Sequence, residues 1–121
     1  MPHINIEYTA NLAEAFDPVE ALRAANAAIV DSGLFDDPLS VKSRAVLLPQ
    51  FRVGNFDDSE AFVHARIHLM EGRSVEQRKQ LGAAVVDAIG TAVKPTSGLR
   101  VQITAELNEM LAETYQKRVI G

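Results

Sequence analysis

Pro2 is the residue of this sequence whose chemistry depends most on its position in the chain. Methionine before a small residue is commonly removed, and its loss would leave Pro2 with a terminal secondary amine, a base that no internal residue offers. An α-amino group titrates at about 7.7–8.0, and burial or cationic neighbours lower its pKa. Such an amine is suited to general-base catalysis near neutral pH. If Met1 is retained, the same nitrogen is an amide and cannot act as a base.

Four basic side chains could hold an anionic substrate near such a base. Arg73 lies in the stretch 71–74 (EGRS), at a predicted turn from a strand into a helix whose first amides are free to bind an anion. Its guanidinium can bind a carboxylate through two hydrogen bonds. Arg100 opens the last predicted strand, and Lys42 and Arg44 occupy the matching place in the first half of the chain. Each is also typical of an ordinary charge at a strand end.

The sequence offers little for a metal or an organic cofactor. His64 and His68 are four residues apart, a spacing that puts them on one face of a strand but two pleats apart, and no carboxylate motif accompanies them. We find no glycine-rich phosphate loop, nucleophile elbow or dinucleotide fingerprint. We therefore expect a site without metal or cofactor.

Composition limits the class of protein further. The chain has 121 residues, of which 47% are hydrophobic and 23% charged, with a net charge of −4 and no cysteine. These values are typical of one soluble domain, which we expect to span residues 1–121, and they give no long-range attraction for nucleic acid. Apolar runs are too short for a membrane span, and the start of the chain lacks a signal-peptide pattern. We expect a cytoplasmic protein without nucleic-acid or membrane partners.

The first half of the chain reads as strand, helix, strand. Residues 3–8 alternate as a half-buried strand does. Asp17 is placed to cap a helix that starts with Pro18 and ends near Gly33. The stretch 41–48 predicts a second strand.

The second half repeats this order. Alternation over 61–69 predicts a strand, and Ser74 to Gln77 form a capping box at the start of a helix that extends to about Ala92. The stretch 101–107 alternates again and predicts the last strand.

The two halves also align residue by residue, with His3 opposite His64 and Ile6 opposite Ile67. We predict pseudo-repeats at about 1–50 and 61–107 and a tail at 108–121. The expected fold is α+β, with two duplicated β-α-β modules that form a four-stranded mixed sheet and two helices on one face. We expect the uncovered face to be apolar and to self-associate, and the tail to dock on a neighbouring subunit.

Several motifs together resemble the tautomerase superfamily and, within it, the 5-carboxymethyl-2-hydroxymuconate isomerase family. They are Met1-Pro2-His3 with Glu7 and Asn11, Ser32-Gly33-Leu34-Phe35, Lys42-Ser43-Arg44, and Ala61-Phe62-Val63-His64 running on to Gly72-Arg73-Ser74. The second half is also similar to the short 4-oxalocrotonate tautomerase subunit, through 71–77 and 99–104.

This resemblance implies a trimeric, cofactor-free isomerase of homoprotocatechuate-type breakdown, with sites at or near subunit contacts. Pro2 would be the base that takes a proton from one carbon of an unsaturated oxo-acid and returns it at another, and Arg73 would hold a carboxylate and stabilise the dienolate. Lys42 best matches a second family arginine, with Arg44 two residues on. Arg100 matches a catalytic arginine of the short tautomerases.

Two other functions fit the same residues. A protonated Pro2 with arginines could serve hydration or dehalogenation of small unsaturated acids. With Met1 retained, the chain could be a non-catalytic trimeric protein that binds carboxylates. Phe35, Phe56 and the C-terminal tail are alternative candidates for closing the pocket.

Overall fold

The chain runs strand, helix, strand and then strand, helix, strand again in the computed structural model, which describes residues 1–55 and 58–121. The elements are β1 (His3–Thr9), α1 (Pro18–Asp31), β2 (Lys42–Leu48), β3 (Glu60–Met70), α2 (Val75–Gly90) and β4 (Arg100–Met110). Short 3-10 helices cover Ala10–Ala15, Pro38–Ser40 and Ala112–Thr114.

Both long helices begin where their capping residues predict. The Asp17 carboxylate accepts a hydrogen bond from the Glu20 N–H at 3.1 Å, and Pro18 holds the first helical position. At α2, the Ser74 hydroxyl accepts from the Gln77 N–H at 3.1 Å, and the Gln77 side chain accepts from the Ser74 N–H at 3.0 Å. These bonds satisfy amides that the first helical turn leaves without partners. Helix starts are therefore determined locally.

The strands form one mixed sheet in the order β2-β1-β3-β4. β1 pairs in parallel with β2 and β3 in parallel with β4, whereas β1 and β3 are antiparallel. His3 lies opposite Lys42 on one side and His68 on the other. The start of β1, the start of β2 and the end of β3 thus share one end of the sheet. The predicted α+β class and its two β-α-β units are confirmed.

The hydrophobic core lies between the two helices and one face of the sheet. Alternate residues of β1 and β3 are fully buried there and meet apolar residues from the inner faces of both helices. The core consists of Ile4, Ile6, Leu12, Phe16, Ala21, Ala25, Ile29, Val41, Ala61, Val63, Ala65, Ile67, Leu69, Leu81, Val85, Ile89 and Ala92. The helices therefore cover one face only.

The uncovered face is mainly polar, so the prediction that it is apolar is wrong. Arg66 bonds Glu7 at 2.7 Å and approaches Glu106 at 3.4 Å across three strands. His64 shares a 2.7 Å hydrogen bond with the Thr104 hydroxyl. The physical reason is the alternation of the strands, which sends their polar positions to the face that the helices do not cover.

The C-terminal segment begins later than predicted, because β4 extends to Met110 instead of ending at Leu107. The rest of the segment folds against its own chain. The Ala112 N–H donates to a Glu71 carboxylate oxygen at 3.2 Å, and the Tyr115 hydroxyl and His3 Nε2 are 3.0 Å apart. Within the described residues, neither α1 nor α2 is long and apolar enough to cross a membrane.

Leu12 tests the core. It is 1% exposed, whereas Leu39 is 85% exposed. We expect Leu12→Ala to lower the free energy of unfolding by about 2–5 kcal/mol, because burial is lost and a cavity remains. Leu39→Ala should change it by less than about 0.5 kcal/mol. Urea denaturation followed by circular dichroism measures both, and equal effects would contradict this description of the core.

Candidate active site

Pro2 lies buried at the end of the sheet where β1, β2 and β3 meet. Its carbonyl oxygen accepts a hydrogen bond from the Lys42 N–H at 3.1 Å. This bond continues the parallel ladder by one step and fixes the backbone at Pro2. Pro2 is therefore held beside the start of β2.

Arg73 is brought to the same end of the sheet by the turn between β3 and α2. Gly72 has a φ of +115°, a conformation that side-chain-bearing residues rarely adopt, so glycine suits this turn. Arg73 donates to the Leu34 carbonyl at 3.1 Å and to the Met70 carbonyl at 3.4 Å. Its guanidinium carbon lies 4.5 Å from the centroid of the Phe35 ring. These contacts hold the guanidinium in place, and its five N–H donors leave some for an anion.

Lys42 and Arg44 make different contacts near the start of the chain. The Lys42 ammonium donates to the Ser40 carbonyl at 3.0 Å, close enough to the N-terminus to affect its titration. Arg44 instead donates to the Asn5 side-chain oxygen at 2.8 Å, and its other nitrogen lies 2.9 Å from His3 Nδ1. Lys42 is thus the better placed of the two to meet an anion beside Pro2.

Arg100 lies at the other end of the sheet. It opens β4 opposite Glu60 and pairs with the Glu60 carboxylate at 3.1 Å. The stretch of β3 from Glu60 to His68 separates it from Pro2 by about 26 Å at about 3.3 Å per residue. A single subunit therefore does not bring Arg100 and Pro2 together.

A cavity of about 370 Å³ opens over the N-terminus. It is lined by Met1, Leu34, Phe35, Asp36, Asp37, Ser40, Met70, Arg73 and Lys117. The Lys117 ammonium lies 3.8 Å from the Met1 sulfur. Of the candidates for closing the pocket, Phe35 and the tail both line it, whereas Phe56 is outside the described residues. Lys117 is not among the site residues that the sequence predicts, because nothing in its local sequence links it to the start of the chain.

Burial and positive charge act together on the N-terminal amine. In this structure the amine belongs to Met1; burial is the main reason why its pKa lies below the usual value of 8.0, and the charges of Arg73, Lys42 and Lys117 lower that pKa further. Asp37 acts in the opposite direction. Because cationic neighbours disfavour the protonated amine, the neutral base is present at lower pH than in an open chain.

Larger grooves lie elsewhere on the chain. One of about 550 Å³ follows α2 and β4, and another of about 560 Å³ is lined by 11–15 and 94–99. The second is the counterpart of the N-terminal cavity in the duplicated half, but Leu12, which corresponds to Arg73, is buried in the core. Neither groove combines a base with several cations, so size alone does not identify the site.

Metal ligands are not grouped in the part of the chain that the structure describes. Residues 1–55 and 58–121 contain no cluster of three or more histidine, aspartate or glutamate side chains suited to a metal ion. The expectation of a site without metal or cofactor stays a prediction.

The same fold occurs in several solved structures. A member of the cis-3-chloroacrylic acid dehalogenase family superposes with a TM-score of 0.69 at 14% identity, over 95% of this chain and 79% of that one. A fused 4-OT symmetric trimer gives 0.62 at 19% identity, over 88% and 85% of the two chains. Fold and sheet topology therefore define a protein of the tautomerase fold.

The family follows from the sequence as a whole. A family model for 5-carboxymethyl-2-hydroxymuconate isomerase matches residues 2–120, so the chain belongs to this family and is an isomerase. A structure of such an isomerase from Deinococcus radiodurans R1 is similar, with a TM-score of 0.79 and 25% identity over 97% of this chain and 88% of that one. No curated protein sequence matches the chain significantly.

The pKa of the α-amino group at the start of the chain, which belongs to Met1 in this structure, tests the electrostatics of this site. We expect its pKa to lie below 8.0, and Lys42→Met to raise it because a cation that disfavours protonation is removed. Lys79→Met, on α2 and away from the cavity, should leave the pKa unchanged. The rate of amine acylation against pH, followed by peptide mass spectrometry, gives the value for each variant. An identical pKa in Lys42→Met and wild type would contradict the assignment.

Proposed function

We propose that this isomerase acts on 5-carboxymethyl-2-hydroxymuconate or a similar unsaturated 2-hydroxy or 2-oxo di- or tricarboxylate, in the breakdown of homoprotocatechuate-type acids. The observation that carries the proposal is the position of Arg73 and Lys42 at the end of the sheet where Pro2 is buried and where the amine of Met1, the residue before it, has a lowered pKa. An unsaturated polycarboxylate needs both a base of moderate strength and localised cations. Because the net charge of the chain is −4, an anionic substrate is attracted locally by these cations and not by the chain as a whole.

In this mechanism Met1 has been removed and the Pro2 nitrogen is a free secondary amine. The neutral amine takes the proton of the 2-hydroxy group, which gives a dienolate and a protonated Pro2. Pro2 then returns the proton to a carbon of the conjugated chain, so that the C=C bonds shift and a 2-oxo group remains. Atoms and charges balance without an external oxidant or reductant.

Arg73 would stabilise the oxygen that gains charge in the dienolate. Its guanidinium is already fixed by the Leu34 and Met70 carbonyls and by the Phe35 ring, so little reorganisation is needed when that charge develops. Lys42 would hold a carboxylate as a point charge, since an ammonium cannot bind it through a planar pair of bonds. Arg44 remains a predicted substrate contact and would also position His3.

We further propose that the protein is a homotrimer. β2 and β4 are the edge strands of the sheet, and Val46 and Leu47 on β2 are about half exposed, which suits contact with another copy. Arg100 lies far from Pro2 within one chain, so its predicted contact with substrate requires that a neighbouring subunit supply it. A cytoplasmic location is also part of this proposal.

Two alternatives use the same cavity differently. Hydration or dehalogenation of small unsaturated acids is favoured by the fold shared with a member of the cis-3-chloroacrylic acid dehalogenase family. Halide release from 3-chloroacrylate, compared with ketonisation of 2-hydroxymuconate, separates that chemistry from isomerisation. A carboxylate-binding protein would bind equally with and without Met1 and turn over neither compound.

The decisive experiment combines an intact mass with a ketonisation assay on 2-hydroxymuconate. We expect a mass without methionine and clear turnover. Pro2→Ala replaces the secondary amine by a primary amine, and should lower kcat about 10- to 100-fold. Sedimentation should show the same trimer for both proteins. Full retention of Met1 with no turnover, or unchanged kcat in the variant, would refute Pro2 as the base.

Arg73 gives an independent test of transition-state stabilisation. Arg73→Ala should lower kcat/KM about 100- to 1,000-fold, because a preorganised donor to the dienolate is lost. Arg73→Lys keeps the charge without the planar donors and should recover only part of the rate. Arg23→Ala is the control, since this arginine is exposed on α1 and pairs with Glu20. A loss of folding without a specific loss of rate would make Arg73 structural.

A further inference from the structure

The C-terminal segment after β4 is held against the end of the sheet that carries Pro2. It is tied to its own chain at two points, by the Ala112 N–H on the Glu71 carboxylate at 3.2 Å and by Tyr115 on His3 at 3.0 Å. Glu71 adjoins the Arg73 turn, and His3 adjoins Pro2. Residues just beyond Tyr115 therefore lie at the opening of the N-terminal cavity.

Lys117 is the residue that reaches this cavity. Its ammonium lies 3.8 Å from the Met1 sulfur, and its charge acts on the N-terminal amine together with those of Arg73 and Lys42. Two carboxylates, Asp36 and Asp37, also line the cavity. The Asp37 carboxylate already accepts a hydrogen bond from the Leu39 N–H at 2.9 Å. Asp37 is thus partly satisfied by the backbone, and no salt bridge joins Lys117 to either aspartate within the described residues.

We propose that Lys117 is a substrate-binding residue that contacts a carboxylate and makes the site select tricarboxylates over dicarboxylates. This inference rests on the function proposed above and narrows its substrate class. Arg73 and Lys117 line the cavity, and Lys42 is bonded to Pro2 through its backbone N–H, so a third carboxylate has a cationic partner of its own. A dicarboxylate leaves one of these cations unused.

The contact that Lys117 makes in this structure is consistent with this assignment. The one side-chain contact of the Lys117 ammonium in the described residues is the sulfur of Met1, a weak acceptor. Removal of Met1, which the proposed function requires, would end that contact and open the space in front of Pro2. The ammonium then faces the cavity with its donors free, as a carboxylate site requires.

Equilibrium binding of unreactive acids tests Lys117 without relying on turnover. The probes are propane-1,2,3-tricarboxylate and glutarate, titrated calorimetrically into the full chain lacking Met1 at low salt. We expect the wild type to prefer the tricarboxylate. Lys117→Met keeps the apolar stem but loses the charge, and should weaken tricarboxylate binding about 10-fold or more with a smaller effect on glutarate. Lys117→Arg should retain the preference.

Arg118→Met is the matched control. It removes the same charge one residue further on, from a side chain that is not among the described residues lining the cavity. We expect both acids to bind Arg118→Met as they bind the wild type. Equal weakening by Arg118→Met and Lys117→Met would mean a general charge effect and overturn the proposal.

The outcomes for Lys117 and for the isomerase activity are separable. Unchanged tricarboxylate preference in Lys117→Met, or no binding of either acid to the wild type, overturns the role of Lys117 whatever the turnover. A lost preference in Lys117→Met supports that role even if 2-hydroxymuconate is not ketonised. In that last case only the proposed reaction fails.

Discussion

The antiparallel pairing of β1 with β3 is the constraint on which the site depends. It places His3 opposite His68, and therefore puts the first residues of the chain beside the end of β3. The turn after β3 then carries Arg73 to the same end of the sheet, while the parallel pairing of β1 and β2 brings Lys42 there. A shift of this register by one residue would turn every side chain of β1 to the other face and remove Pro2 from the cations.

The second requirement is electrostatic. The chain is acidic overall, yet Arg73, Lys42 and Lys117 act together on the amine of Met1 and lower its pKa after the larger effect of burial, against the opposing charge of Asp37. Such a cluster costs stability through mutual repulsion of like charges. Part of that cost is offset where carbonyl oxygens of Leu34, Met70 and Ser40 accept hydrogen bonds from Arg73 and Lys42. A bound polycarboxylate would offset more of it.

Duplication has produced two halves with the same fold but different uses. Leu12 and Arg73 occupy matching positions after the first strand of each half, and the one is buried in the core while the other lines the cavity. The first half therefore uses this position for packing, and the second uses it for charge.

The uncovered face of the sheet is polar, and its charged side chains are largely paired with one another.

The helices and strands and their order follow from local sequence patterns. Asp17 and Ser74 mark the helix starts because their side chains bond amides within three residues, and alternation marks the strands for the same local reason. The resemblance to a family, carried by Pro2 and Arg73 among others, also came from sequence. The sequence does not mark the ends of the strands as clearly as the helix starts, and β4 extends three residues past its predicted end at Leu107.

Which charged side chains lie close together depends instead on how the strands pair in the folded chain. Arg100 and Lys42 open matching strands and look alike in sequence, but the sheet order places them at opposite ends. Lys117 is more than a hundred residues from Met1 and contacts it where the C-terminal segment returns to β1, at the bond between Tyr115 and His3. Local propensity carries no information about such contacts, since they depend on strand pairing and on the path of a segment without a regular pattern of its own.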